Sequence, residues 1–131
     1  MIVVDTNIIA YLYLESEFTI RAEALLLGDP VWVVPTLWRS EFRNILAGAI
    51  RRDALGFEDA CRIVVEAEGL LAGNEHDVAS RPVLQLVRDS DCSAYDCEFA
   101  SLAAQLGVRL VTMDRKLLNA FPELAQPLPA G

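Results

Sequence analysis

Four carboxylates occupy positions where an ordinary soluble domain rarely puts one. Asp5 follows the apolar run Ile2-Val3-Val4, and Asp114 is separated from Leu110-Val111 only by Thr112 and Met113. The helical neighbours of Glu41 include Leu37, Trp38 and Ile45, members of the apolar stripe itself. Asp96 is followed at helical spacing by Phe99 and Ala100, so it borders an apolar face too. Burying a carboxylate is costly unless it is paired or bound to a metal. No basic residue lies one helical turn along either apolar stripe, although Arg39, Arg43 and Lys116 could approach from elsewhere in the fold. If the four acids converge, they repel one another and make a place for a hard divalent cation, which would activate water for hydrolysis. Each acid also has a structural explanation. Asp5 and Asp114 can cap the helices that follow them, Asp96 can complete a capping box with Ser93, and Glu41 can form a salt bridge or face solvent.

The elements that must position these acids follow from the hydrophobic pattern. Ile2-Val3-Val4 reads as a strand and the Ile8, Ile9, Tyr11, Leu12 pattern as a helix. A second helix is expected from Phe18 to Leu27, stopped by Gly28-Asp29-Pro30, and a second strand from Val31 to Val34. Thr36 is expected to cap a long helix from Leu37 to about Ala54, and Gly56 separates it from another over Phe57 to Leu71. Glu75 to Val78 is a weak third strand, followed by a helix opening near Ser80 and Pro82 and by a polar break at Arg88-Asp89-Ser90-Asp91. Ser93 caps a helix closed by Gly107, Arg109 to Val111 is the last expected strand, and Arg115 to Ala120 is a short helix. The tail, with Pro122, Pro127 and Pro129, reads as irregular.

Short apolar strands alternating with helices define an α/β chain with a mainly parallel sheet covered on both faces. Ligands in such sheets bind beyond the carboxyl ends of the strands, where Asp5 and Asp114 should stand.

Composition bounds the function. The 131 residues correspond to one domain spanning 1–131, and 53% hydrophobic with 23% charged residues gives a packed globule. No apolar run approaches the ~20 residues that cross a bilayer, and the opening residues lack a basic lead-in, so a cytoplasmic, membrane-free protein is expected. Cys61, Cys92 and Cys97 have no paired zinc-ligand spacing and read as reduced thiols. The net charge of −8 opposes polyphosphate binding, but two divalent cations would bring it to −8 + 4 = −4 and reverse the field at the site. Ten Arg against one Lys favours bidentate phosphate contacts.

Four segments in this order resemble the PIN domain family, in particular the VapC-type toxin ribonucleases of bacterial toxin–antitoxin pairs. They are Ile2-Val3-Val4-Asp5-Thr6-Asn7, Pro35 to Asn44 around Glu41, Ser93 to Ala103 around Asp96, and Leu110 to Leu117 around Asp114. The resemblance covers nearly the whole chain. Each segment alone is a weak signal, and order and spacing together are specific. Two mild departures, Met113 where smaller residues are frequent and Cys97 where Ala is usual, remove no acid.

The resemblance implies a three-layer α/β/α fold, Mg2+ or Mn2+ as cofactor, cleavage of an RNA substrate, a homodimer, and inhibition by a cognate antitoxin protein that fills the site. Within that expectation Asp5 and Asp96 are direct metal ligands, Glu41 a ligand directly or through water, and Asp114 a ligand or the group that orients the attacking water. Thr6, Asn7 and Thr112 are candidates for fixing the carboxylate rotamers, with ordinary capping as the competing explanation. Arg39, Arg43, Arg115 and Lys116 are candidate phosphate contacts that a solvated charged face would explain equally well. Glu98 and Asp91 rank below the four acids, and His76, remote from the motifs, is not cast as a general base.

Two other functions fit the same residues. One is a PIN scaffold that binds RNA or an antitoxin without cutting. The other is a phosphatase with Asp5 as nucleophile, which is disfavoured because Asn7 stands where such enzymes carry a second acid.

Overall fold

Ile2–Val4 forms the central strand, β1, of a five-stranded sheet, and its Val3 and Val4 are fully buried. A strand covered on both faces needs apolar side chains on both, which is why it reads as a continuous apolar run rather than as an alternation. The structure is a computed structural model that describes residues 1–130. After β1 come α1 (Thr6–Tyr13), α2 (Thr19–Gly28), β2 (Trp32–Pro35), α3 (Trp38–Arg51), α4 (Phe57–Leu70) and β3 (Glu75–His76). The second half holds α5 (Ser80–Arg88), α6 (Ala94–Leu106), β4 (Leu110–Val111), α7 (Arg115–Ala120) and β5 (Ala125–Gln126).

The strand order is β3-β2-β1-β4-β5 and every pairing is parallel. Ile2 stands beside Trp32 on one side of β1, and Val4 beside Val111 on the other. The chain steps from β1 to β2 to β3 in one direction, then returns past β1 to β4 and β5. With crossovers of the right-handed sense that parallel strands take, the helices of the two halves fall on opposite faces and give three α/β/α layers. In keeping with this, α1 packs on α2 and α3, whereas α5 packs on α6 and α6 lies against β1, β2 and β4. The reversal leaves a crevice at the carboxyl ends of β1 and β4, the place where open α/β sheets bind ligands.

Two sequence expectations about helix ends hold. Ser93 caps α6 by accepting the Asp96 N–H at 3.0 Å, and Gly107 closes that helix in the left-handed region at φ 67°.

Three others are corrected. Thr36 does not cap α3: its hydroxyl donates to Asp77 Oδ1 at 3.4 Å, and the helix starts at Trp38 with no side-chain cap. The long helix ends at Arg51, short of Ala54, because Asp53 turns left-handed at φ 56° and the Ala54 N–H folds back onto the Ala49 carbonyl at 2.9 Å. No glycine marks that stop, so the sequence does not announce it. The tail is partly ordered as a strand. Ala125 and Gln126 extend the sheet beside Leu110 and Val111, Leu128 is buried, and Arg21 donates to the Leu128 carbonyl at 2.6 Å and the Pro129 carbonyl at 3.0 Å. A two-residue Ala-Gln strand among prolines carries no periodic signal; pairing with β4 creates it.

Candidate active site

Asp5, Glu41, Asp96 and Asp114 come from four separate segments and line one cleft of about 220 Å³, with Thr6, Asn7, Asn44 and Ile45. Asp5 sits where β1 becomes α1, Asp114 where β4 leads into α7, Glu41 in the first turn of α3, and Asp96 in the first turn of α6. The crevice at the sheet's switch point thus receives two acids from strand ends and two from helix starts. No Arg or Lys lines it.

Asp5 is the most enclosed acid, 7% exposed. Its Oδ1 accepts the Thr6 N–H at 2.8 Å and its Oδ2 accepts the Thr112 hydroxyl at 2.8 Å. Burial lifts this carboxyl above the ordinary range; the Thr112 and Thr6 hydrogen bonds pull it back, and the charges of Asp96 and Asp114 push it up again. Glu41 Oε1 accepts the Thr6 hydroxyl at 2.7 Å, and burial, followed by the charges of Asp5, Asp96 and Glu98, raises that carboxyl as well. Asp96 is raised by burial and then by Asp114, while Ser93 and Lys116 act in the opposite sense. Asp114 Oδ1 accepts the Lys116 N–H at 2.8 Å, and its own N–H donates to the Thr112 hydroxyl at 3.0 Å.

The capping roles are therefore real. Asp5 caps α1, Asp114 caps α7, and Ser93 caps α6 through Asp96. They coexist with convergence, because a carboxylate offers about four lone-pair sites and a cap occupies one.

Thr6 and Thr112 both hold carboxylates. Asn7 does not: its side chain is exposed on the cleft wall. Arg39 is turned away, donating through Nε and Nη2 to Glu75 at 2.7 and 2.9 Å and pairing with Glu68 at 3.2 Å, while Trp38 Nε1 also donates to Glu75 at 2.5 Å. Arg43 lines a separate apolar groove between α3 and α4. Arg115 is exposed outside the cleft lining. Lys116 is exposed, and its charge is felt at Asp96. Glu98 lines a neighbouring groove of about 460 Å³ with Asp77 and Val83, and both His76, in β3, and the exposed Asp91 stand outside the cleft. Asn44 went unread in the sequence, although its position one turn after Glu41 puts it on the same face of α3.

The donor set suits a hard cation: four carboxylates, of which Asp5, Glu41 and Asp96 are raised first by burial and then by neighbouring carboxylates, with no basic residue in the lining. Among the described residues, however, no group of three or more His, Cys, Asp or Glu side chains is gathered tightly enough to clasp an ion directly. Magnesium tolerates that spacing, since it keeps several of its waters and takes only one or two carboxylates directly.

Thr112 links two of the acids, and it is fully buried. Thr112→Val keeps the shape, removes the donor to Asp5 and orphans the Asp114 N–H. It should lower stability by about 1–3 kcal/mol in urea unfolding; an unchanged midpoint would show that this hydroxyl supports nothing.

This chain belongs to the PIN domain family, whose profile matches residues 2–123. It is 30% identical to Ribonuclease VapC3 of Pyrobaculum aerophilum over 129 residues, which cover 96% of this chain and 98% of that protein. Two crystal structures share the fold. PAE2754 from Pyrobaculum aerophilum has a TM-score of 0.71 at 19% identity, covering 97% of this chain and 90% of its own. FitAcB from Neisseria gonorrhoeae has a TM-score of 0.70 at 19% identity, covering 95% and 96%. Among the described residues no helix is long and apolar enough to cross a membrane.

Proposed function

We propose that this chain is a divalent-metal-dependent endoribonuclease acting as the toxin of a type II toxin–antitoxin pair, working in the cytoplasm as a homodimer held in check by a cognate antitoxin protein. The observation that carries the reading is the convergence of Asp5, Glu41, Asp96 and Asp114 on one cleft without a basic residue in its lining. The name and full-length similarity of Ribonuclease VapC3 support RNA as substrate.

In this reading Asp5 and Asp96 would hold Mg2+ or Mn2+, Glu41 would bind it directly or through water, and Asp114 would serve as a further ligand or orient the attacking water. The cation, when bound, supplies positive charge that draws in the phosphate, acidifies water and steadies the leaving oxygen. Thr112 and Thr6 keep Asp5 and Glu41 aimed, so that little reorganisation is needed on binding. Hydrolysis joins the water oxygen to phosphorus and breaks the bond from phosphorus to one ribose oxygen, which leaves with a proton. Lys116, whose charge is felt at Asp96, is a candidate for drawing in a phosphate.

The test is cleavage of single-stranded RNA by the purified chain. Cleavage is expected with magnesium or manganese and should stop when EDTA removes the metal. Undiminished cleavage in EDTA would overturn the metal assignment, and no cleavage in either metal would overturn the enzyme.

A further inference from the structure

Asp5, Glu41, Asp96 and Asp114 offer a substrate only acceptors, and the hydroxyls of Thr6 and Thr112 are already spent, on Glu41 and on Asp5. Two side chains in the cleft wall can still donate: Asn7 from the first turn of α1 and Asn44 from α3. Both are exposed.

We propose that Asn44, together with Asn7, is the substrate-binding pair of the cleft, donating amide N–H groups to the phosphate oxygens of the RNA strand beside the bond that is cut. The proposal rests on the nuclease reading and adds to it the groups that hold the polyanion. Its physical basis is charge. An arginine or lysine at these positions would pair with the carboxylates and compete with the cation. A neutral amide binds an anionic oxygen without cancelling the field that holds the metal. Each amide carries two N–H donors and a carbonyl acceptor, enough to meet a phosphate oxygen and a ribose hydroxyl together. The arginines and Lys116 lie outside the lining, where they can draw the strand in but not seat it.

The test compares Asn44→Ala, Asn7→Ala, the double variant and Asn44→Gln with the active wild-type chain on a single-stranded oligoribonucleotide in magnesium. Losing one such hydrogen bond should raise KM about fivefold to tenfold in each alanine variant, and more in the double, with kcat held within about twofold. Asn44→Gln, which keeps the amide, should recover part of the loss. Magnesium affinity, read by calorimetry without RNA, should stay within about twofold of wild type. An unchanged KM in the double variant overturns the proposal. So does a magnesium affinity that weakens in step with KM, because the amides would then serve the ion. A wild-type chain that cleaves no RNA instead overturns the nuclease reading, so the two failures are distinguishable.

Discussion

Asp96→Asn is expected to lose metal-dependent RNA cleavage by about a thousandfold or more, since several kcal/mol of charge stabilisation leave with the carboxylate. The substitution changes one oxygen to an amide nitrogen and leaves the backbone cap in place, because that cap is the Asp96 N–H donating to the Ser93 hydroxyl. It also removes a charge that adds to the effect of burial in raising Asp5 and Glu41, and it ends the repulsion between positions 96 and 114. Thermal stability without metal should therefore equal or exceed that of the parent. Loss of activity with a retained or higher Tm separates a lost ligand from a broken fold. Asp5→Asn should be as inactive, but its stability is less simply read. Asp5 accepts two donors, Thr6 N–H and the Thr112 hydroxyl, and an amide has only one acceptor oxygen to meet them. Cleavage persisting in both variants would remove the carboxylates from the mechanism.

The second large effect is metal-linked stability and its dependence on pH. Asp5, Glu41 and Asp96 all have carboxyls raised by burial and, to a smaller extent, by neighbouring carboxylates, Asp114 among them. A raised carboxyl favours the folded state when protonated. That contribution is complete below the group's ordinary value, 3.8 for Asp and 4.5 for Glu, and is lost as pH rises through the higher folded value. As pH rises and these acids ionise, the metal-free protein carries more of the repulsion. Glu75 acts in the opposite sense: held low by the Arg39 guanidinium, it stabilises above its ordinary value and loses that contribution as pH falls through its lower folded value. Magnesium at about a hundred times its Kd should add about 2.7 kcal/mol near neutral pH. For a chain of this length that is about 10 °C in Tm. At about pH 5 the gain should shrink sharply, since protonation competes with the metal for the same oxygens. Melting curves at the two pH values with and without magnesium measure it. An equal gain at both would mean that the ion binds away from these three acids.

The local chemistry of the chain was legible before any coordinates. The run Ile2-Val3-Val4 marked a strand buried on both faces, Ser93 and Gly107 marked the ends of one helix, and Glu41 stood out because Leu37, Trp38 and Ile45 at helical spacing are apolar. These signals are short-range: each depends on side chains within a turn or two of one another. Asn44 was equally close to Glu41 in sequence, but it is an unremarkable residue on a helix until the opposite wall of the cleft is known. Arg39 read as a phosphate contact because nothing nearby in sequence claimed it, whereas Glu75, on β3, does.

The sequence by itself determined which acids cannot sit comfortably alone and which runs must be buried, because burial cost and helix period are properties of neighbouring residues. Only the tertiary structure decided that the strand order reverses beside β1, that β5 exists at all, and that four distant carboxylates share one cleft. Those outcomes depend on hydrogen bonds and packing between segments as much as a hundred residues apart, such as Thr112 to Asp5, for which no local pattern carries the information.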